Sequence, residues 1–312
     1  MRIALLGDIH LFRVGVWPWR LLSKRVLGQM NLWMNRRRRF NVDLIDQLVA
    51  KVAGENPDVL LCTGDLTTTS LEAEFESVVK RFGPLFAKQP TYIVPGNHDR
   101  YTFGSARGRV LERYLGEYVS ASWPHHHVLD EGLELIGLDA SKPTWFYAGN
   151  ALPDEQLERL GELLAGMAEG SRAIVMLHYP IGTPTGYERE SKNHGLQNPD
   201  DLIGVLRDSG REILYLNGHV HVPWCWRLDE APNVVAVNAG SPLYKGHGYA
   251  AGQGYWVIET GADASAVTSS GEPRGWSWPV LRHVHPLEGG GWTETEVKVP
   301  GEAGGVAEMG GG

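Results

Sequence analysis

The sequence contains a set of aspartate, asparagine and histidine residues that directly follow apolar runs. The run "TYIVPG" at 91–96, for example, is followed at once by Asn97, His98 and Asp99. Four further runs lead into Asp8 and His10, into Asp65, into His178, and into His219 and His221. Carboxylates and imidazoles crowded at the ends of buried strands would be costly to bury unless a cation bound them. The residue types therefore indicate a site that binds metal ions.

The apolar runs have the length of buried strands, and helical patterns lie between them. The predicted strands span 2–7, 58–64, 91–96, 173–178 and 212–218. Amphipathic patterns predict helices over 42–53, 70–82, 153–168 and 199–208. This alternation predicts a layered α/β fold, in which ligands bind beyond the carboxyl ends of the strands. In an extended segment, the i, i+2 spacing of Asp8 and His10, and of His219 and His221, would place each pair on one face.

Composition and charge exclude several classes of protein. The chain has 312 residues, 42% of them hydrophobic, which is enough for the core of one large domain or two small ones. Its net charge of −8 argues against a general nucleic-acid binder. No apolar run is long enough to span a bilayer, and the N-terminus lacks the features of a signal peptide. The only cysteines, Cys62 and Cys225, are predicted to be buried thiols, and the protein is expected to be cytoplasmic.

Taken together, the blocks "GDIH", "GD", "GNHD", "H" and "GHVH" resemble the motifs of the calcineurin-like metallophosphoesterases. All five are present, in the order typical of that family, across residues 7–221. The resemblance implies an α/β fold, a four-layer sandwich of two sheets, with a dinuclear metal site. We therefore expect one domain over 1–300 with a basic, Trp-rich helical insertion at about 11–42, followed by a disordered Gly-rich tail over 301–312.

The resemblance also implies a role for each residue of the set. One metal ion would be held by Asp8, His10 and His221, the other by Asn97, His178 and His219, with Asp65 bridging both. His98 would protonate the leaving oxygen or stabilise charge in the transition state. Asp99 would orient the His98 imidazole through a hydrogen bond. The mixture of nitrogen and oxygen ligands suits two divalent ions of manganese, iron or zinc.

Such a centre predicts a hydrolase that cleaves a P–O bond by attack of a hydroxide held between two metal ions. A small phosphodiester is the favoured substrate, with a phosphomonoester or a lipid-linked pyrophosphate as alternatives. Nucleic acid is disfavoured because the chain outside 11–42 carries a net charge of −16. A non-catalytic metal-binding scaffold is a further alternative, but it would have no need for all seven ligands and His98.

Three other features allow more than one interpretation. The run His125, His126 and His127 lies outside every block, and we predict a loop there rather than a second metal site. Arg100 could clamp a phosphate through two hydrogen bonds or could be a solvated residue at a helix start. The stretch 238–249 could line the site or could simply connect two strands.

The segment 17–40 combines Trp17, Trp19 and Trp33 with most of the eight cations of 11–42, which contains no acidic residue. If the segment is helical, one face is apolar and the cations lie mostly elsewhere. It is interpreted either as a helix that packs across the sandwich or as an element that contacts an anionic membrane. The second interpretation would make the protein peripheral at a membrane.

Overall fold

Two six-stranded sheets, packed face to face, form the centre of the protein. The computed structural model describes residues 1–12, 40–145, 148–187, 194–245, 253–260, 279–287 and 290–307. The first sheet contains Arg2–Leu6 (β1), Val59–Cys62 (β2), Thr91–Ile93 (β3), Tyr255–Glu259 (β10), Val280–Pro286 (β11) and Trp292–Val297 (β12). Their order is β12-β11-β10-β1-β2-β3, and β1, β2 and β3 are parallel to one another.

The second sheet contains the strands from the middle of the chain. They are His125–Asp130 (β4), Leu133–Gly137 (β5), Arg172–Met176 (β6), Ile213–Asn217 (β7), Trp224–Arg227 (β8) and Val234–Asn238 (β9). Their order is β4-β5-β6-β7-β9-β8. The four central strands are parallel, and the edge strands β4 and β8 run antiparallel to their neighbours.

Helices cover the outer faces of both sheets. They are Ile45–Gly54 (α1), Glu72–Phe86 (α2), Phe103–Arg107 (α3), Val110–Leu115 (α4), Asp154–Gly166 (α5) and Pro199–Asp208 (α6), with a 3₁₀ turn at Val42–Leu44. Residues of α1, α2 and α4 belong to the apolar cluster on the outer face of the first sheet, and residues of α5 and α6 to that of the second. The predicted four-layer α/β sandwich is therefore confirmed.

Alternate residues of each central strand belong to different apolar layers. Ile3 and Leu5 of β1 face the second sheet and share a buried cluster with Leu214 of β7. Ala4 and Leu6 face the opposite way, into the cluster that includes the α1 helix. Because both faces are covered by apolar layers, the central strands are continuously apolar instead of alternating with polar residues.

The five predicted strands and four predicted helices are all present, with ends displaced by a few residues. The helix α2 differs most, because it spans Glu72–Phe86 instead of 70–82. The carboxylate of Glu74 accepts a hydrogen bond from the backbone N–H of Leu71 at 3.1 Å. This capping contact makes Leu71 the residue that precedes the helix, and it explains the later start.

The prediction of a loop at His125, His126 and His127 is wrong, because these residues begin β4. The rings of His125 and His127 face the first sheet, where they lie 6.2 and 4.3 Å from the ring of Tyr92 on β3. His126 points the other way and pairs with Glu134 on β5. Pairing with β5 thus gives these residues a place in the sheet, and a short run of histidines carries no strand signal of its own.

Two residues in the first part of the predicted tail form hydrogen bonds with strand β8. The backbone N–H of Gly304 donates to the carbonyl of Arg227 at 2.9 Å, and that of Ala307 donates to the carbonyl of Cys225 at 2.9 Å. These bonds cover the edge strand β8, whose backbone groups would otherwise face solvent. The disordered tail over 301–312 stays a prediction, and residues 308–312 lie outside the described part of the chain.

Of the segment 17–40, only Phe40 belongs to the described residues, so the helical and membrane-contact interpretations stay predictions. Phe40 is buried, and its ring lies 5.4 Å from the ring of His10. The C-terminal end of the insertion is therefore anchored beside the site. Within the ranges that the structure describes, no helix is long and apolar enough to cross a bilayer.

His125 should make the folded state sensitive to acid. Burial, with smaller contributions from His127 and His126, lowers the pKa of His125 to about 4 from its ordinary value of 6.5. The unfolded chain therefore binds this proton first as the pH falls. The stabilisation from neutral His125 is complete above about pH 6.5 and is lost as the pH falls toward about 4. We expect His125→Leu to show a shallower loss of unfolding free energy across that range, measured by urea denaturation at each pH.

Val128→Thr is the matched control for this measurement. Val128 lies on the same strand, is exposed and does not titrate, so its replacement should keep the wild-type dependence on pH. If His125→Leu has the wild-type slope as well, the acid sensitivity of the fold has another source.

Candidate metal centre

The loops that follow five strands bring all nine predicted site residues together. The strands β1, β2 and β3 of the first sheet and β6 and β7 of the second end at the same edge of the sandwich. The residues beyond them are Asp8, His10, Asp65, Asn97, His98, Asp99, His178, His219 and His221. The site therefore lies across the junction of two sheets instead of at the edge of one.

Asp8, His10 and His221 form one group of potential metal ligands. The Nε2 atoms of His10 and His221 are 2.8 Å apart. Asp8 Oδ1 lies 3.7 Å from His10 Nε2 and 3.4 Å from His221 Nε2. Three ligand atoms from loops of both sheets thus face one point.

Asn97, His178 and His219 form a second group. His178 Nε2 lies 3.1 Å from Asn97 Oδ1 and 3.1 Å from His219 Nδ1. His178 Nδ1 donates to the carbonyl of Thr63 at 2.7 Å, and His219 Nε2 donates to that of His194 at 2.7 Å. Because a carbonyl can only accept, each neutral ring turns an unprotonated nitrogen toward the group, as a metal ligand must.

Asp65 lies between the two groups. Its Oδ2 atom is 3.6 Å from His10 Nε2 and 3.5 Å from His178 Nε2. Its other oxygen, Oδ1, accepts a hydrogen bond from the backbone N–H of His98 at 2.8 Å. One oxygen is therefore held by the backbone while the other faces both groups, which is the placement that a bridging carboxylate needs.

Five of the nine residues have a left-handed backbone conformation. The angle φ is +50° at Asp8 and His10, +54° at Asp65, +76° at His219 and +62° at His221. Such angles cost about 1–3 kcal/mol each, although Asp and His adopt them more readily than most residues. We expected the i, i+2 spacing to place each pair on one face of an extended segment, and this explanation is wrong. Neither pair lies in an extended segment, and the side chains converge because the chain turns at each of these residues.

Hydrogen bonds from neighbouring loops hold these turns. Asp8 Oδ2 accepts from the backbone N–H of His219 at 2.8 Å, which joins the first block of the sequence to the last. The hydroxyl of Ser241 donates to the carbonyl of Asp8 at 2.6 Å, and the amide of Asn238 donates to that of Gly218 at 2.7 Å. Of the two interpretations of 238–249, these contacts favour the one that places the stretch at the site, as far as its described residues go. The blocks contain neither Asn238 nor Ser241.

The environment gives these groups the protonation states of metal ligands. Burial alone would raise the pKa of Asp8, but the neighbouring imidazoles of His10 and His221 outweigh it and hold that pKa well below its usual range. Burial lowers the pKa of His178, and burial together with the neighbouring His178 lowers the pKa of His219 well below its usual value. An ionised carboxylate and neutral imidazoles are the forms that bind a metal ion.

The residues fit divalent metal ions. Asp8 Oδ1 is buried and has no hydrogen-bond partner within the described ranges. Such an oxygen is costly to leave unpaired. A cation facing Asp8, His10 and His221 would satisfy it, and imidazole with carboxylate is a ligand mixture that manganese, iron and zinc accept.

The predicted hydrogen bond between Asp99 and the His98 imidazole is not formed. The Asp99 carboxylate instead accepts from the backbone N–H groups of Asp65, Gly96 and Thr67 at 2.7, 3.0 and 3.0 Å. Burial raises the pKa of Asp99 to about 6, although these hydrogen bonds lower it. Asp99 therefore ties the loop after β2 to the loop after β3 and acts on the site through the backbone.

His98 is oriented by a backbone carbonyl. Its Nδ1 atom donates to the carbonyl of Thr68 at 2.6 Å. The His98 ring lies edge-on to that of His10 at 4.9 Å and stacks on Tyr101 at 5.3 Å, both between centroids. One of its ring nitrogens lies within 4.8 Å of ligand atoms from His10 and Asp65. The sequence could not have identified Thr68 as the acceptor for His98, because the contact is to a backbone carbonyl, which every residue has.

Arg100 is neither a phosphate clamp nor a solvated residue. Its guanidinium pairs with Glu112 of α4 at 2.9 Å and with Asp139 just after β5, and its side chain is 17% exposed. It also donates to the carbonyl of Ser141 at 3.1 Å. The hydroxyl of Ser141 in turn donates to the carbonyl of Pro95 at 2.7 Å. These contacts fasten the loop after β3 to the second sheet.

Residues 1–223 match the calcineurin-like phosphoesterase family, and this range contains all nine site residues. The chain belongs to that family. This metallophosphoesterase is therefore a hydrolase that acts on phosphoester bonds, and divalent metal ions are its cofactors. The resemblance of its five motif blocks is confirmed.

Several proteins are similar to this metallophosphoesterase. One from Pseudoalteromonas sp. (strain SM9913) is 27% identical over 252 residues, or 79% of this chain and 81% of that one. One from Vesicomyosocius okutanii subsp. Calyptogena okutanii (strain HA) is 25% identical over 177 residues, or 57% and 68%. Both are named "probable cyclic nucleotide phosphodiesterase". A dimetal phosphatase from Danio rerio shares the fold, with a TM-score of 0.53 and 12% identity over 91% of this chain and 94% of that one.

Gly96 should be required for the position of the Asp65 carboxylate. A Cβ atom at residue 96 would lie 2.0 Å from Asp65 Oδ1 and 2.4 Å from its backbone nitrogen. Gly96→Ala should therefore displace the carboxylate from the backbone N–H of His98. We expect metal affinity to fall about 10- to 100-fold, as it does when supports of metal ligands are lost. Titration of the metal-free protein with Mn²⁺, followed by calorimetry, measures the change.

Gly104→Ala is the matched control. Gly104 lies in α3, where a Cβ atom would meet no described atom within 4 Å, so this variant should keep the wild-type affinity. Wild-type affinity in Gly96→Ala would mean that the loop can move aside without disturbing Asp65.

Proposed function

We propose that this metallophosphoesterase is a phosphodiesterase that acts on small phosphodiesters, with cyclic nucleotides as the first candidates. The observation that carries the proposal is the position of Asp65 Oδ2, 3.6 and 3.5 Å from one imidazole nitrogen of each ligand group. A centre with two metal ions uses a shared carboxylate to keep both ions at a fixed spacing. The names of the two relatives favour cyclic nucleotides among the possible phosphodiesters.

Each metal ion would have three ligands of its own and share Asp65. Asp8, His10 and His221 would hold one ion, and Asn97, His178 and His219 the other. Manganese, iron and zinc suit this set. When bound, the two ions would supply a hydroxide at neutral pH and screen the negative phosphate oxygens from it. The buried imidazoles and carboxylates would keep both ions in a site that is partly shielded from water.

His98 is proposed to protonate the leaving oxygen. Its Nδ1 hydrogen is committed to the carbonyl of Thr68, so Nε2 is the atom that gains and loses a proton. Contacts with His10 and Tyr101 restrict rotation of the ring. A fixed ring with one exchangeable proton is suited to general acid catalysis.

Residues 1–300 are proposed to be a single domain, with the stretch to residue 307 added to it. The two ligand groups draw on loops of both sheets, and a shared apolar cluster lies between those sheets. Neither sheet alone could assemble the site, which favours a single folding unit.

Asp65→Asn should remove metal from both positions. The purified protein is expected to bind two transition-metal ions per chain and to lose activity with a chelator. Asn at residue 65 keeps the shape of Asp but loses its charge, so both ions should bind weakly and phosphodiester hydrolysis should fall to background. Elemental analysis and hydrolysis of bis-p-nitrophenyl phosphate test this. Asp130→Asn, which changes an exposed carboxylate at the end of β4, is the control.

A substrate series tests the phosphodiester part separately. With Mn²⁺ added, 3′,5′-cyclic AMP and bis-p-nitrophenyl phosphate should be hydrolysed faster than p-nitrophenyl phosphate. Faster hydrolysis of the monoester would reject the phosphodiester assignment and leave the family activity intact. A single bound ion in active wild-type enzyme would reject the shared role of Asp65.

His98→Ala should lower kcat and leave metal content near the wild-type value. The loss should be about 10²- to 10⁴-fold for a diester with a poor leaving group, because general acid catalysis contributes that much. It should be much smaller for bis-p-nitrophenyl phosphate, whose leaving group needs little protonation. Steady-state kinetics across a leaving-group series checks the dependence.

Two results would contradict the acid role of His98. An equal loss for good and poor leaving groups would mean that the imidazole only positions the phosphate. Loss of one metal ion from His98→Ala would make His98 a ligand instead, which its position within 4.8 Å of ligand atoms from His10 and Asp65 makes a real alternative.

A further inference from the structure

Trp145 exposes a large aromatic surface to solvent. The residue is 64% exposed, whereas every other described Phe, Tyr and Trp residue is buried or partly buried. The ring packs on one side against Phe103, with centroids 5.1 Å apart and planes inclined by 44°. Exposure of so much apolar surface is unfavourable, and aromatic side chains left exposed in clefts are common points of contact with ligands. Much of the Trp145 ring is therefore available to a partner.

Two connections tie Trp145 to the loop that follows β3. Phe103, which contacts it, lies five residues beyond His98, and five residues span at most about 17 Å even when fully extended. On the other side, Ser141 precedes Trp145 by four residues and donates its hydroxyl to the carbonyl of Pro95 at 2.7 Å. Trp145 is thus connected to the loop that carries Asn97, His98 and Asp99.

The loops that carry these two rings are anchored. The Arg100 guanidinium pairs with Asp139 and donates to the carbonyl of Ser141 at 3.1 Å, which joins the loop after β3 to the loop after β5. With 17% of its side chain exposed, Arg100 forms contacts that salt screens less than surface pairs. The pair Phe103 and Trp145 is therefore held in place instead of being carried by a free loop.

Phe103 and Trp145 are connected to His98 through Tyr101. His98 is the proposed donor of a proton to the leaving oxygen, so it lies on the leaving-group side of the phosphate. The ring of Tyr101 stacks on His98 with planes 10° apart, and Phe103 follows two residues later. One short stretch of chain, from His98 through Tyr101 to Phe103, therefore connects the proposed proton donor to the ring that contacts Trp145.

We propose that Trp145, supported by Phe103, is a stacking platform for a nucleobase of the phosphoester substrate. The inference rests on the proposed phosphodiesterase function and identifies the part of the substrate that lies beyond the phosphate. One exposed ring face offers a flat surface, which suits a planar group and does not enclose a flexible chain. Every base has such a face, so stacking on an aromatic side chain tolerates different bases.

Two ligands that differ only in the base give the sharpest test. Adenosine 5′-monophosphate and ribose 5-phosphate share sugar and phosphate, and calorimetry on the Mn²⁺-loaded full-length protein measures both affinities. Wild type should bind the nucleotide more tightly. Trp145→Ala should weaken nucleotide binding about 5- to 150-fold, the range for loss of one stacked base, and leave ribose 5-phosphate unchanged. Trp145→Phe is the matched control and should retain most of the preference.

Equal affinity of wild type for the two ligands would overturn the platform, as would an equal loss of both in Trp145→Ala. Retained base preference in Trp145→Ala, together with loss of self-association in sedimentation, would assign the ring to a second copy of the chain instead. Because Trp145 is exposed, both variants should unfold at the wild-type temperature. Hydrolysis of cyclic AMP is measured separately. Base-dependent binding without hydrolysis would reject the proposed function and support the platform.

Discussion

Buried carboxylates and imidazoles converge on Asp65, and the surrounding structure depends on satisfying their charges and hydrogen bonds. Asp8 and Asp65 are almost completely buried, and such groups are costly to bury unless their charges and hydrogen bonds are satisfied. The backbone satisfies part of this need, since the N–H groups of His98 and His219 each hold one carboxylate oxygen. The remaining oxygens face imidazole nitrogens, where a cation can complete the pairing. A bound cation would therefore help to stabilise this arrangement.

Left-handed turns and glycines are the local means by which the chain brings these groups so close. Positive φ angles at five of the site residues direct their side chains to one volume, at a cost that a rigid surrounding fold must offset. The glycines of the motif blocks serve a different purpose. A Cβ atom at Gly218 would lie 2.3 Å from Asp8 Oδ2, and one at Gly96 would lie 2.0 Å from Asp65 Oδ1. These two positions need glycine because a carboxylate occupies the space of the missing side chain.

The convergence of Asp, Asn and His side chains could be predicted because these residues directly follow apolar runs in the motif blocks. The layered fold could be predicted because its buried strands are continuously apolar. Tertiary contacts decided the rest. The carbonyls of Thr63 and Thr68 orient two imidazoles, but a carbonyl has the same chemistry at every residue. The sequence predicted a hydrogen bond from Asp99 to His98. Only the folded loops show that backbone N–H groups donate to the Asp99 carboxylate instead. The histidines of β4 gave no strand pattern, because their place depends on pairing with β5.

The two sheets must also be held in register, because each supplies ligands to both groups. The apolar layer between them fixes their separation, but burial of apolar surface has no direction and would tolerate a small slide. Directional contacts at the site edge remove that freedom. Asp8 accepts from the backbone of His219, Thr63 accepts from His178, and Arg100 pairs with Asp139, each across the two sheets. A slide of one ångström would break these contacts and separate His10 from His178 on either side of Asp65. The same hydrogen bonds that orient individual ligands therefore set the distance between the two groups.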